Sequence, residues 1–158
     1  MEVAEEIARA AMEHADDILP LMIAFNQVEG IPWRPEVMVP ALHRLLDDEH
    51  LGMALVARAG SRLVGYSVAT FGYDLEFAGR DAFITEIFVD SRARGRGLGR
   101  SLLTSTVRHL RQRGVNAVHL VVRPENQRAR SLYETHGFKA SPRIIMTKDL
   151  SLEESCGD

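Results

Sequence analysis

Between Phe83 and Leu110 the chain passes from an apolar run, Phe83-Ile84-Thr85-Glu86-Ile87-Phe88-Val89, through Ser91-Arg92-Ala93-Arg94-Gly95-Arg96-Gly97-Leu98-Gly99, into a helical stripe. The apolar run is too continuous for a strand with one solvated face, so it predicts a strand in the centre of a sheet. Leu103, Val107 and Leu110 recur at i, i+4 and i+7 and predict a helix from about Arg100 to Arg113, stopped by Gly114. Between these elements the alternate glycines let the backbone turn tightly and approach a ligand without interference from a Cβ. The helix start behind them offers unpaired N–H groups and the positive end of its dipole, which together make an anion-binding nest. Arg94, Arg96 and Arg100 would add charge-assisted hydrogen bonds of about 1.5–3 kcal/mol each. The ligand this predicts is a nucleotide-like diphosphate.

Other phosphate cradles fit less well. A Walker A loop needs Lys and then Ser or Thr after its last glycine; Arg100-Ser101 stands here, with the wrong glycine spacing. A dinucleotide fingerprint needs G-x-G-x-x-G, whereas Gly95, Gly97 and Gly99 read G-x-G-x-G, although the following strand and Glu125 imitate that arrangement. A small dinucleotide-binding domain therefore stays as the weaker reading, and a solvated basic turn as the bland one.

The rest of the chain supplies a sheet for the central strand to join. Residues 3–11 predict a first strand with Ile7 and Arg9 on one face. Asp16 or Asp17 then caps a helix to about Asn26 with Pro20 in its first turn, and a second helix runs from Pro35 to Asp48 after the Pro-punctuated loop around Trp33. The runs 53–58 and 63–71, split by a short Gly-containing loop, predict a β-hairpin in which Gly65 weakens the second strand or marks a bulge. Residues 117–123 predict another strand, Asn126 caps a helix to about Thr135 that Gly137 ends, and Phe138–Lys139 with Arg143–Leu150 predict a closing hairpin. The order mixes hairpins with one strand-helix-strand crossover, so the expected fold is α/β of the α+β kind: a mixed, largely antiparallel central sheet with helices on both faces.

At 158 residues there is room for a single domain, expected over 1–150 with a flexible tail over 151–158. A formal net charge of −3 argues against a general nucleic-acid binder, although Arg92, Arg94, Arg96 and Arg100 make a local basic patch. Cys156 is the only cysteine, so neither a disulfide framework nor a Cys-rich metal site is expected and a reducing, cytoplasmic setting is natural. The acidic N-terminal segment does not read as a secretory signal, and no long uncharged apolar run predicts a membrane span. The six histidines show no zinc-protease spacing, and no metal is expected.

The loop resembles the R-x-x-G-x-G/A signature of the GNAT superfamily of N-acetyltransferases. A second block, Asn126-x-x-Ala129-x-x-Leu132-Tyr133-x-x-x-Gly137-Phe138, is similar to that superfamily's N-x-x-A-x-x-L-Y-x-x-x-G-F pattern. The resemblance covers residues 84–139. It implies that main-chain groups of Ile87, Phe88 and Val89 pair with a pantetheine arm, that the amides from Arg94 through Gly95, Arg96, Gly97 and Leu98 to Gly99 hold a pyrophosphate, and that acetyl-CoA is the co-substrate. Asn126 would bond the pantetheine or cap its own helix beside Ala129. Tyr133 would protonate the departing thiolate, or serve as a core aromatic on the face that also carries Ala129, Leu132 and His136.

Direct transfer needs a neutral amine, hence a base. Glu86 interrupts an apolar strand at a cost in stability unless it faces a cleft, which makes it the candidate; its bland role is to orient the acceptor or pair with an arginine. With no cysteine in reach, a ternary complex is expected rather than an acyl-enzyme. Glu29, Trp33, Asp74, Glu76 and Asp81 lie in the loops that would border the acceptor, pointing to an amine of a small molecule, peptide or protein, or else they are solvated loop residues. The family often forms homodimers, and nothing in the sequence fixes an interface. The competing function, from a different class, is a non-catalytic CoA-binding regulatory module.

Overall fold

The computed structural model describes residues 5–152. It divides into two compact units, Met1–Arg123 and Pro124–Asp158. The first contains β1 (Glu5–Arg9), α1 (Ala15–Glu29), α2 (Pro35–Asp47), β2 (Gly52–Ala59), β3 (Arg62–Asp74), β4 (Gly79–Val89), α3 (Leu98–Gln112) and β5 (Ala117–Leu120). The second contains α4 (Gln127–Thr135).

The five strands lie in sequence order, β1-β2-β3-β4-β5. The first three pairings are antiparallel, β2–β3 and β3–β4 through short connections and β1–β2 across the segment that carries α1 and α2; only β4 and β5, joined through α3, run parallel. A dinucleotide-binding fold is built on parallel strands, so this topology removes that reading.

The pleat sorts the side chains of the central strands onto two faces. On one face Tyr66, Val68 and Phe88 pack with Ile18, Leu21 and Met22 of α1 and Leu42 of α2. On the other, α3 buries Leu98, Leu102, Leu103, Thr106 and Leu110, and Ser67 meets Thr106 hydroxyl to hydroxyl at 2.7 Å. Gly65 faces that helix too: a Cβ there would stand 2.9 Å from the Phe88 carbonyl oxygen and 3.1 Å from Leu102 Cδ1, so a side chain would push strand and helix apart. The register shift in the β2–β3 ladder falls between Ala57 and Arg58, opposite Gly65 and Leu63, beside the predicted bulge position.

Three local expectations are corrected. α1 starts at Ala15 behind a 3-10 turn over Met12–His14, so Pro20 sits inside the helix rather than in its first turn. β5 ends at Leu120, short of the expected Arg123, because its pairing with β4 stops at Ile84↔Leu120. The closing hairpin does not form: residues 138–149 are irregular, and Ile144, Ile145 and Met146 are exposed. Their apolar character suits a strand, but a strand exists only through a partner's hydrogen bonds, and Pro142 withholds one donor at the turn. Cys156 lies outside the described residues.

Candidate active site

The site begins with one extra residue in β4. Val68 pairs with Glu86 and Ala69 with Ile84, leaving Thr85 bulged out of the ladder. A bulge bends its strand and increases the local twist. The β4–β5 ladder ends at Ile84↔Leu120, on the near side of that bulge, so, among the described residues, 85–89 have β3 on one side and no strand on the other. Backbone groups on an open edge of this kind can take up an extended ligand as a strand would.

The open edge runs straight into the Arg/Gly loop. Asp90 caps a 3-10 turn over Ser91–Ala93, its carboxylate accepting the Arg92 N–H at 3.0 Å. The same carboxylate pairs with Arg62 at 2.7 Å and with the Arg92 guanidinium at 3.2 Å. The Arg92 backbone bond first, then the two guanidinium groups, hold its pKa down at about 2. Arg94 turns back along the strand: its Nε donates to the Val89 carbonyl at 2.9 Å and its guanidinium lies 5.4 Å from the Phe88 ring centroid.

Gly95 and Gly97 both take left-handed backbone conformations, φ +82° each, as glycine does most readily. Gly97 is the N-cap of α3, which has no side-chain cap. The Ser101 N–H, bonded to the Gly97 carbonyl, closes the first turn. The N–H groups of Leu98, Gly99 and Arg100 therefore precede any intrahelical acceptor. Leu98 is buried and anchors the helix start two residues earlier than expected, while Arg96 and Arg100 are exposed.

Glu86 lies on the sheet face covered by α1 and α2. The Tyr66 phenol donates to its Oε1 at 3.3 Å. Burial pushes the Glu86 carboxyl above its usual range, and the Tyr66 bond offsets part of that rise. Burial, and then the neighbouring carboxylate, drive the Tyr66 phenol far above its ordinary value, so it remains a donor. Glu86 opens into a cavity of about 250 Å³ whose apolar wall is Met22, Met38, Ala41, Leu42, Leu45 and Val68. Asn26 is its other polar lining residue; its amide nitrogen donates to Met38 Sδ at 3.3 Å.

The loop residues fall in different surroundings. Glu29 is engaged by Arg123, through its carboxylate at 3.3 Å and its backbone carbonyl at 2.8 Å. Trp33, in the loop between α1 and α2, is partly buried and packs against the core. Asp74 accepts the Glu76 N–H at 2.8 Å. Asp74 also stands with Asp81 and His119 in a group whose ligand atoms lie within 4.8 Å of one another, and His119 Nε2 is 3.2 Å from Asp81 Oδ2. Strand register across β3, β4 and β5 assembles that group, so motif spacing could not reveal it. Tyr66 and Asn26 were likewise invisible as site residues, since each reads as a core position until the register of β3 and the seating of α1 are known.

In the second unit, Asn126 caps α4, its Oδ1 accepting the Ala129 N–H at 3.1 Å. Tyr133 is partly buried, with its ring centroid 6.0 Å from that of Phe138. Ala129, Leu132, Tyr133 and His136 are all partly buried, as expected of one helix face.

Residues 10–138 match the Acetyltransferase (GNAT) family, and the chain belongs to it. Among curated relatives, a mycothiol acetyltransferase of Saccharomonospora viridis is 36% identical over 129 residues, which cover 75% of this chain and 41% of that protein. Against two others of the same name, from Beutenbergia cavernae and Thermobispora bispora, the chain spans 20% and 30% of the relative's length. Among solved structures, an integron cassette protein from the mobile metagenome of Cole Harbour Salt Marsh superposes with a TM-score of 0.81 at 27% identity, covering 91% of this chain and 90% of that one. An aminoglycoside N-acetyltransferase in complex with CoA shares the fold, with a TM-score of 0.80 at 18% identity over 93% of this chain and 95% of that one.

Proposed function

We propose that the protein transfers the acetyl group of acetyl-CoA directly to a primary amine within a ternary complex. The observation that carries this reading is the continuity of two features, the strand edge left open beyond the Thr85 bulge and the diphosphate nest at the start of α3. Ile87, Phe88 and Val89 offer backbone groups to the amide-bearing pantetheine arm. Residues Arg94 to Gly99 offer amides, and Arg96 and Arg100 charge, to the pyrophosphate. One ligand has an amide-rich arm and a diphosphate joined in that order, and it is the donor the family uses.

Glu86 takes the amine proton, directly or through a water, and its raised pKa makes it a stronger base than a solvated carboxylate. The amine nitrogen attacks the thioester carbonyl, the C–N bond forms, the C–S bond breaks, and the departing thiolate takes a proton from Tyr133. No nucleophilic side chain of the protein is acylated. Thiol release from acetyl-CoA, followed over a panel of primary amines, tests the reading: amine-dependent release supports it. Tight acetyl-CoA binding without turnover on any acceptor would support a CoA-binding regulatory module instead.

A further inference from the structure

We infer that the cavity beside Glu86 receives the hydrocarbon body of the acceptor, so that the substrate class is a primary amine on a compact aliphatic or aromatic group rather than a polycation. This rests on the reading of Glu86 as the group that meets the amine.

The lining argues for it. The walls contributed by Met22, Met38, Leu42, Leu45 and Val68 present hydrocarbon and thioether surface, and no lining residue other than Asn26 and Glu86 is polar. A polar acceptor would lose water there and find few partners. The two methionines are unbranched and polarizable and adapt to either an alkyl or an aryl group. At about 250 Å³ the cavity is smaller than the roughly 300–1,000 Å³ of typical small-molecule sites, so it takes one side group and not an oligosaccharide. Two acids outside the cavity already have partners: Glu29 is held by Arg123, and Asp81 stands 3.2 Å from His119 Nε2. One carboxylate, Glu86, faces the cavity, and it suffices for one amine.

Two measurements on the intact protein test this. The first compares 2-phenylethylamine and isopentylamine with ethylamine and spermidine as acceptors. The second follows the ¹³C-methyl signals of Met22 and Met38 during titration with 2-phenylethylamine. The expected result is a KM for 2-phenylethylamine roughly tenfold or more below that for ethylamine, with saturable shifts of the Met22 and Met38 methyls. Ala41→Phe, an exposed position at the cavity lining, collapses that KM ratio towards one. Turnover that favours spermidine, with unmoved Met22 and Met38 signals, overturns the inference while leaving acetyl transfer intact. Saturable methyl shifts without turnover of any amine uphold the apolar pocket and remove the transfer reading.

Discussion

Tyr66 and Glu86, twenty residues apart in sequence, meet at 3.3 Å because the β3–β4 register sets Tyr66 opposite Phe88 and Val68 opposite Glu86 on one sheet face. A fully buried phenol thus donates to a carboxylate whose own burial works against its ionisation. The two effects have opposite signs for the base, which makes the pair a handle on the chemistry.

Removing the carboxylate separates function from stability. Glu86→Gln is expected to lower kcat by roughly 10²–10³-fold while leaving acetyl-CoA affinity unchanged. Its folded pKa lies above the unfolded value of about 4.5, so ionising it costs stability, and that cost grows as pH rises through the folded pKa. Glu86→Gln should therefore melt no lower than the parent at pH 7, and thermal denaturation beside a thiol-release assay checks both halves.

Removing the phenol shifts the base instead. The Tyr66 bond lowers the Glu86 pKa, so Tyr66→Phe should move the acid limb of kcat/KM against pH to higher pH. An acid limb that stays in place would separate Glu86 from proton transfer.

Asp90 makes the opposite pH prediction. Its pKa falls from an ordinary 3.8 to about 2, so its contribution is present at neutral pH and fades as pH drops from about 4 towards 2. With its solvent screening, Asp90→Asn should cost about 1 kcal/mol at pH 7. Urea denaturation at pH 7 and pH 3 should show the gap narrowing at the lower pH.

Tyr133→Phe should lower kcat by roughly 10²-fold with acetyl-CoA affinity preserved, the signature of a lost proton donor. Unchanged turnover would return Tyr133 to its role as a partner of the Phe138 ring.

The parts of this site that were legible in the sequence are those that depend on local backbone chemistry. Gly95 and Gly97 stand where the chain must turn left-handed, Asn126 caps the helix it was expected to cap, and Gly114 and Gly137 follow their helices with positive φ. The parts that were not legible depend on register and packing. Nothing local to Thr85 marks it as the bulged residue, since the bulge exists only in the count against Val68 and Ala69. The cavity needs α1 and α2 seated over β3 and β4 before Met22, Met38 and Val68 share a wall. The hairpin expected after Phe138 shows the same limit from the other side, because apolar residues predict strand character and cannot supply a partner.

The glycine loop is where the central claim can be tested most directly. A Cβ at Gly97 would point into open space, with no atom beyond its own chain neighbours within 4 Å, so the fold has no steric objection to a side chain there; with φ at +82°, a β-branched residue costs about 1–2 kcal/mol in backbone strain. Calorimetric titration of acetyl-CoA into the parent protein and into Gly97→Val, with NADH as the control ligand, is the measurement. Saturable acetyl-CoA binding that weakens roughly tenfold or more in a folded Gly97→Val protein, with no heat from NADH, is the predicted result. Acetyl-CoA binding equally tight in both proteins, or NADH binding that displaces acetyl-CoA, would contradict the account.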